Sequence, residues 1–272
     1  MTDLPPIGFF DSGIGGLSVW RAVARLLPHI PTVYVADSAY CPYGDRPPAE
    51  VVERSVAVSR FLLRHHCAPI VVACNTASAA ALKTLRQMFD VPFVGMEPAV
   101  KPAAQASKTG HIGVLATAGT VQGELFQNTT RRYANGVQVH VQVGTGLVEQ
   151  IEAGRLDHPD TLNLLNRYLL PMLTAGADQI VLGCTHYPLL APVIRQMVGP
   201  QVTLVDPADA VARQVQRVRS SLFPQEQTGS PAAPENRYRF FTTGSNRQIA
   251  FLNQEWLPDG MAGINFLPAV IN

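Results

Sequence analysis

The sequence predicts an α/β protein of two pseudo-symmetric domains, each a parallel sheet between helix layers (αβα), with the active site in the cleft between them. Three observations predict it. Short β-rich runs alternate with helical patterns, which marks βαβ units and a mostly parallel sheet. The pattern restarts near residue 111, where HIGVLAT (111–117) resembles IGFFDS (7–12): each opens on Ile-Gly and ends in a hydroxyl residue before a glycine. A cysteine also closes a matching strand in each half. APIVVAC (68–74) parallels DQIVLGC (178–184), with an Ile-Val pair four and three residues ahead of each thiol.

The elements run in order along the chain. IGFF (7–10) reads as a strand, then come a glycine-rich turn and a helix through Leu27, and TVYVAD (32–37) is the next strand. AEVVERSVAVSRFLLRHH (49–66) carries apolar residues at three- and four-residue spacing, the pattern of an amphipathic helix. PIVVAC (69–74) is a strand and ASAAALKTLRQMF (77–89) a helix. In the second half HIGVLAT, HVQVG (140–144) and DQIVLGC are strands, and TLNLLNRYLLPMLTAG (161–176) is a helix that Pro171 is positioned to kink. FPQEQTGSPAAPENR (223–237) is polar and rich in proline and glycine, hence a loop. YRFFTTG then reads as a strand and NRQIAFLNQEWL as a helix. This last piece is too small to stand alone, so it is expected to return to the first half. The expected domains are 1–97 plus 209–272, and 98–208.

Composition narrows the function classes. The chain has 272 residues, 47% of them hydrophobic, so it can bury a substantial core. A formal charge of +1 implies neither a nucleic-acid partner nor an anionic membrane. No apolar run reaches the roughly 18–20 residues of a membrane span, and the first residues lack the basic and apolar regions of a signal peptide. The expectation is a soluble, cytoplasmic protein. Cys41, Cys67, Cys74 and Cys184 form no CxxC pair and are expected to be free thiols, Cys41 and Cys67 with structural roles. His65-His66-Cys67 is not a metal site, because neighbours on a helix point about 100° apart. No metal is expected anywhere.

Ligands of open α/β sheets bind at the carboxyl ends of the strands. Cys74 and Cys184 lie there, as do Asp11 and Ser12, and the residues after each cysteine should open a helix whose free N–H groups hold carboxylates or phosphates. Two matched halves would direct two thiols at one cleft from opposite sides. Inverting a stereocentre by proton transfer needs that arrangement, a base on one face of the carbon and an acid on the other. A free thiol is only roughly 3% thiolate at neutral pH, so each needs a neighbour. Asp11 is the candidate beside Cys74 and His186 beside Cys184, with Glu152 of LVEQIEAG a third acid/base candidate. Taken singly, each feature has a plainer reading: a filler cysteine, a helix cap at Asp11-Ser12-Gly13, a core histidine. The matched pair of thiols reverses that weighting. Pyridoxal phosphate would need a Schiff-base lysine, and none of Lys83, Lys101 and Lys108 ends a strand. Gly13-Ile14-Gly15-Gly16 is not a GxGxxG fingerprint, and reads as a place of close backbone approach to a ligand.

These residues carry a resemblance. GFFDSGIGGLSV, CPYGDRP, VVACNTASA, GVLATAGTV and LGCTHYPLL, in this order and through FTTGS near the C-terminus, resemble the bacterial glutamate racemases of the aspartate/glutamate racemase superfamily. The resemblance implies a cofactor-independent enzyme that interconverts L- and D-glutamate for peptidoglycan synthesis. It implies Cys184 as the base toward L-glutamate and Cys74 toward D-glutamate, assisted by Asp11, Glu152 and His186. Substrate contacts would come from Asp11, Ser12, Tyr43, Gly44, Asn75, Thr76, Thr185 and His186, and the expected assembly is a homodimer. The chain departs from the common pattern at Gly144-Thr145, where many members carry Cys-Pro, and at Gly123 and Phe126, where a serine and a tyrosine are frequent. An aspartate racemase, or an amino-acid-binding protein without catalysis, remains a rival reading at this point.

Overall fold

The structure, a computed structural model, describes residues 5–225, 237–245, 261 and 263–271. Ten strands run through them: β1 (Ile7–Asp11), β2 (Thr32–Ala36), β3 (Ile70–Val72), β4 (Phe93–Gly95), β5 (His111–Ala116), β6 (Gln138–Val143), β7 (Gln179–Gly183), β8 (Thr203–Val205), β9 (Tyr238–Thr242) and β10 (Phe266–Pro268). They form two sheets, ordered β10-β9-β2-β1-β3-β4 and β6-β5-β7-β8. Every pairing is parallel. The two-domain parallel α/β fold expected from the sequence is therefore present.

The two sheets share one plan. β1 lies between β2 and β3, with Phe9 opposite both Tyr34 and Val71. β5 lies between β6 and β7, with Val114 opposite Val141 and Val181. Chain direction around each central strand therefore leaves the ends of β1, β3, β5 and β7 as the places where loops can build a site. β1, β2, β3 and β7 are buried at every residue, as parallel strands covered on both faces must be.

Helices α1 (Leu17–Leu26), α2 (Pro48–Arg64) and α3 (Asn75–Met88) cover the first sheet. α4 (Val100–Ala106), α5 (Ala118–Gln122), α6 (Glu124–Tyr133), α7 (Leu147–Glu152), α8 (Pro159–Thr174) and α9 (Ala191–Val198) belong with the second. α10 (Ala208–Leu222) packs back on α1. Phe10, Val35, Val58, Leu62 and Val72 fill one side of the first sheet, and Ile112, Val114, Phe126 and Val181 one side of the second. The third cluster is continuous across both domains, from Trp20 and Tyr34 through Leu17 and Ile14 to Leu189 and Tyr187.

Several expectations shift. α3 begins at Asn75 rather than 77, because the Cys74 sulfur caps it by accepting the Ala77 N–H at 3.5 Å. α8 runs unbroken through Pro171, which lies in its last turn, so the bond it forgoes, to the Arg167 carbonyl, is near the end of the ladder and the helix ends within a turn of it. Three-residue strands such as β4 and β8 escape a periodicity reading, since three residues show no alternation. The helix expected at NRQIAFLNQEWL and most of the 223–237 loop lie outside the described residues. The returning segment does join the first sheet, as β9 and β10.

His65, His66 and Cys67 diverge as the helical geometry requires. His65 stacks on Phe61 and Phe241, His66 is exposed, and Cys67 is buried against Gly8. No helix among the described residues is long and apolar enough to cross a membrane.

Trp20 ties the returning segment to the first half. It is wholly buried, its Nε1–H donates to Thr32 Oγ1 at 2.9 Å, and it meets Tyr238 and Phe240 of β9 edge-on. Trp20→Ala is expected to destabilise the protein by about 3–5 kcal/mol, read as a lower urea midpoint in equilibrium unfolding.

Candidate active site

The two cysteines reach one small cavity from opposite domains. Cys74 follows β3 and Cys184 follows β7, and the cavity is also lined by Ser12, Pro42, Tyr43, Gly44, Asn75, Thr76, Thr117, Val148, Thr185 and His186. All the residues expected to touch substrate line it except Asp11, which lies wholly buried behind Ser12. Cys74 opens a helix directly. Cys184 is followed by a 3-10 turn at Tyr187–Leu190 before α9, so the two strand ends match in the placement of the thiol and differ in the turn beyond it.

Asp11 is fixed on both oxygens. Oδ2 accepts the N–H groups of Gly13 and Gly16 at 3.1 Å each, and Oδ1 accepts the Thr185 hydroxyl from the second domain at 3.2 Å. Burial pushes its carboxyl up from the ordinary range, partly offset by the His186 charge and those two N–H groups. The Cys74 thiol is close enough to this carboxylate that each group shifts the other's titration. Burial pushes that thiol well above its usual range, and the Asp11 charge adds to the rise.

Cys184 has a different partner. Its sulfur lies 3.8 Å from His186 Nδ1, and His186 Nε2 is 2.6 Å from Glu152 Oε1. Burial disfavours the imidazolium, but hydrogen bonds to Cys184, Cys41 and Glu152 outweigh it and hold the His186 pKa well above normal. Burial likewise raises Glu152, and its bond to His186 reverses that, leaving the carboxyl below its ordinary value. Both shifts run in the direction that favours an imidazolium beside a carboxylate. Glu149, the alternative carboxylate of this segment, is exposed.

The glycines of the first turn exist for this pair. Ile14 N–H donates to Glu152 Oε1 at 2.8 Å. A Cβ on Gly13 would fall 1.8 Å from that oxygen, and one on Gly15 would fall 2.4 Å from His186 Nδ1 and 2.6 Å from its backbone nitrogen. At Gly13 and Gly15 the close approach is to Glu152 and His186 of the second domain, and at Gly16 it is to Asp11, Tyr34 and the Ala73 carbonyl of the first.

Asn75 lies buried at the cavity wall. Its side chain is buried and neither amide atom has a hydrogen-bond partner, a condition that costs about 1–3 kcal/mol per group until a partner arrives. Thr76, Thr117 and Thr120 form a hydroxyl chain across the domains, each link 2.9 Å. Thr117 was not singled out from the sequence, although it ends HIGVLAT where Ser12 ends IGFFDS. Cys41, assigned to structure, lies 3.7 Å from Glu152 Oε1 and 3.9 Å from Ser12 Oγ, with burial pushing its thiol up to about 11. Cys41, Glu152 and His186 form the one group among the described residues whose atoms could converge on a metal ion. His186 and Glu152 instead lie at hydrogen-bonding distance, closer than two ligands on one zinc would stand, at roughly 3.3 Å for tetrahedral bonds of about 2.0 Å. None of the three lysines lines the cavity.

The departures from the common pattern have local reasons. A side chain at Gly144 would strike the Tyr187 hydroxyl at 2.5 Å, and Gly123 lets its turn approach Ala79 of α3. Phe126 is buried in the second core. None of the three lines the cavity.

Two matched α/β domains that present one thiol each to a shared cavity define a two-domain racemase. The family model described as Asp/Glu/Hydantoin racemase matches residues 16–215, and the chain belongs to that family. It is 52% identical over 214 residues to the glutamate racemase of Roseiflexus sp. (strain RS-1), covering 78% of this chain and 79% of the relative. It is 51% identical over 228 residues to that of Herpetosiphon aurantiacus, covering 83% and 90%. Among solved structures, a glutamate racemase isoform from Bacillus anthracis matches with TM-score 0.84 and 31% identity over 98% of both chains. The Escherichia coli glutamate racemase in complex with L-glutamate and the activator UDP-MurNAc-ala matches with TM-score 0.80 and 35% identity, over 97% of this chain and 98% of that one. The resemblance read from the motifs is borne out.

Gly15→Ala is expected to push His186 away from its partners while leaving the sheets intact. Racemase activity should fall by about 10²-fold, the effect of displacing a catalytic group by an ångström, with near-normal far-UV circular dichroism.

Proposed function

We propose that the chain is a cofactor-independent glutamate racemase in which Cys74 and Cys184 act on opposite faces of the substrate α-carbon. The observation that carries this reading is the convergence of two thiols from different domains on one cavity, each with its own proton partner. In the L-to-D direction Cys184 is the base. Its S–H bond forms as the α-C–H bond breaks, the electron pair passes into the adjoining carboxylate, and Cys74 gives its proton to the other face. The two sulfurs finish with exchanged protonation states, ready for the reverse direction. Burial beside Asp11 keeps Cys74 a thiol at rest, which suits the donor role. His186 shares its Nδ1 proton with Cys184, and Glu152 keeps His186 charged and oriented.

Asn75, with Ser12, Thr76, Thr185 and the Tyr43-Gly44 wall, binds the substrate. The names of the relatives support glutamate, and the same family membership supports a role in supplying D-glutamate for peptidoglycan in the cytoplasm, with a homodimer as the assembly. The two units that meet around substrate are 1–97 with 209–272, and 98–208, supported by the packing of α10, β9 and β10 on the first half.

Cys74→Ala and Cys184→Ala should each lower racemisation by about 10²–10⁴-fold, the usual worth of a general acid or base. Circular dichroism of L-glutamate solutions reads this directly, and normal turnover in either variant would sink the two-thiol mechanism. Turnover of aspartate equal to that of glutamate would overturn the substrate. Glu152→Gln removes the anion that helps hold His186 charged, so the alkaline loss of L-to-D activity should move to lower pH. Linkage sets the sign: a raised imidazole pKa marks a charged form that is favoured below it and lost as pH climbs through it.

A further inference from the structure

Asp37 follows β2, is wholly buried, and joins four parts of the first domain. The Tyr43 hydroxyl donates to its Oδ2 at 2.6 Å. Arg54 of α2 donates from Nε to Oδ2 at 3.0 Å and from Nη2 to Oδ1 at 2.9 Å. Thr243 Oγ1 donates to Oδ1 at 2.8 Å and accepts the Ala39 N–H at 3.2 Å. Arg54 also donates from Nη1 to the Ile271 carbonyl at 3.1 Å, and its guanidinium lies 3.9 Å over the Tyr40 ring. Thr243 and Ile271 both belong to the segment that returns from the second domain.

Among these residues Tyr43 alone reaches the cavity, beside Gly44 and Cys74. Its hydroxyl is committed to Asp37, so Tyr43 presents its ring and backbone to the cavity. Arg54 balances the Asp37 charge with two bonds, and a buried carboxylate needs further donors for its remaining lone pairs. The Tyr43 and Thr243 hydroxyls are those donors, and they fold the cavity wall and the returning segment onto the same carboxylate.

We propose that Asp37 is a positioning residue for substrate binding, fixing the Tyr43-Gly44 wall and, through Thr243 and Arg54, making the returning C-terminal segment part of the support for that wall. The proposal rests on the reading that this wall meets substrate, and its effect is on ground-state binding rather than on the proton transfers.

The test compares full-length wild type with Thr243→Val, Tyr43→Phe and Asp37→Asn. Thr243→Val keeps the ion pair and is the variant that folds most safely. It should raise KM for L-glutamate severalfold, because the wall that meets substrate loses one of its ties, with kcat within about twofold, the signature of lost uniform binding. Thr243→Ser should restore KM, which a general packing role would not produce. Asp37→Asn should move KM furthest. In parallel, alkylation of Cys74 by iodoacetamide, mapped by peptide mass, should quicken severalfold in Thr243→Val and Tyr43→Phe at a temperature well below the melting transition of every variant. Unmoved alkylation in both variants overturns the proposal, as does an unmoved KM. If wild type fails to racemise glutamate, the function assigned above falls, while the alkylation comparison still decides whether Asp37 sets the wall.

Discussion

Glu152 and His186 share a 2.6 Å hydrogen bond, and both press on a backbone turn that belongs to the other domain. The bond orders much of its surroundings. Glu152 Oε1 can meet the Ile14 N–H only if residue 13 has no Cβ, and His186 can lie over the turn only if residue 15 has none. The same turn supplies the Gly13 and Gly16 N–H groups that hold Asp11. One short glycine-rich segment therefore sets the geometry around both cysteines, the two acid/base systems of the proposed reaction. A shift of either domain relative to this turn would disturb Cys74 and Cys184 together.

The pseudo-symmetry of the sheets does not extend to the thiols' surroundings. Cys74 caps a helix and faces a carboxylate, whereas Cys184 precedes a 3-10 turn and faces an imidazolium. Burial costs a thiolate in either place, so two different arrangements of charge address the same problem. The proposed reaction accepts the difference because the two sulfurs never need the same protonation state at the same time. One must be ready to lose a proton when the other is ready to gain one.

Much of the fold was legible because parallel strands buried on both faces read as short apolar runs, and the runs repeat in the two halves. Cys74, Cys184 and Asp11, with His186 just beyond, could be found because strand ends are where such sheets place their chemistry, whereas Glu152, at the end of α7, was singled out as an acidic residue of LVEQIEAG. Their partnership was less legible. Glu152 lies 34 residues from His186 and 138 from Ile14, and no local pattern marks those distances. Cys41 carried no signal, since a cysteine ahead of a turn looks like any other, and only the folded chain brings it to Glu152. Asp37 and Thr243 escaped for the same reason, 206 residues apart and joined through one carboxylate.

Apart from His186, which is engaged by Glu152 and Cys184, the cavity is lined by neutral groups (two thiols, hydroxyls, an amide, backbone and apolar side chains), with neither lysine nor arginine to add a further cation. A cation there would offer a strong hold on the carboxylates of the proposed substrate. It would also stand within reach of Asp11 and Glu152, whose charges are already assigned to Cys74 and His186. An ion pair with either would withdraw the partner from its thiol, and the strength of the pair in a low-dielectric site makes that competition severe. Neutral donors avoid it. Asn75, with neither amide atom partnered among the described residues, can donate to a carboxylate without offering Asp11 or Glu152 an ion pair. Recognition by neutral groups follows from the same constraint that places a histidine and two carboxylates around the cysteines.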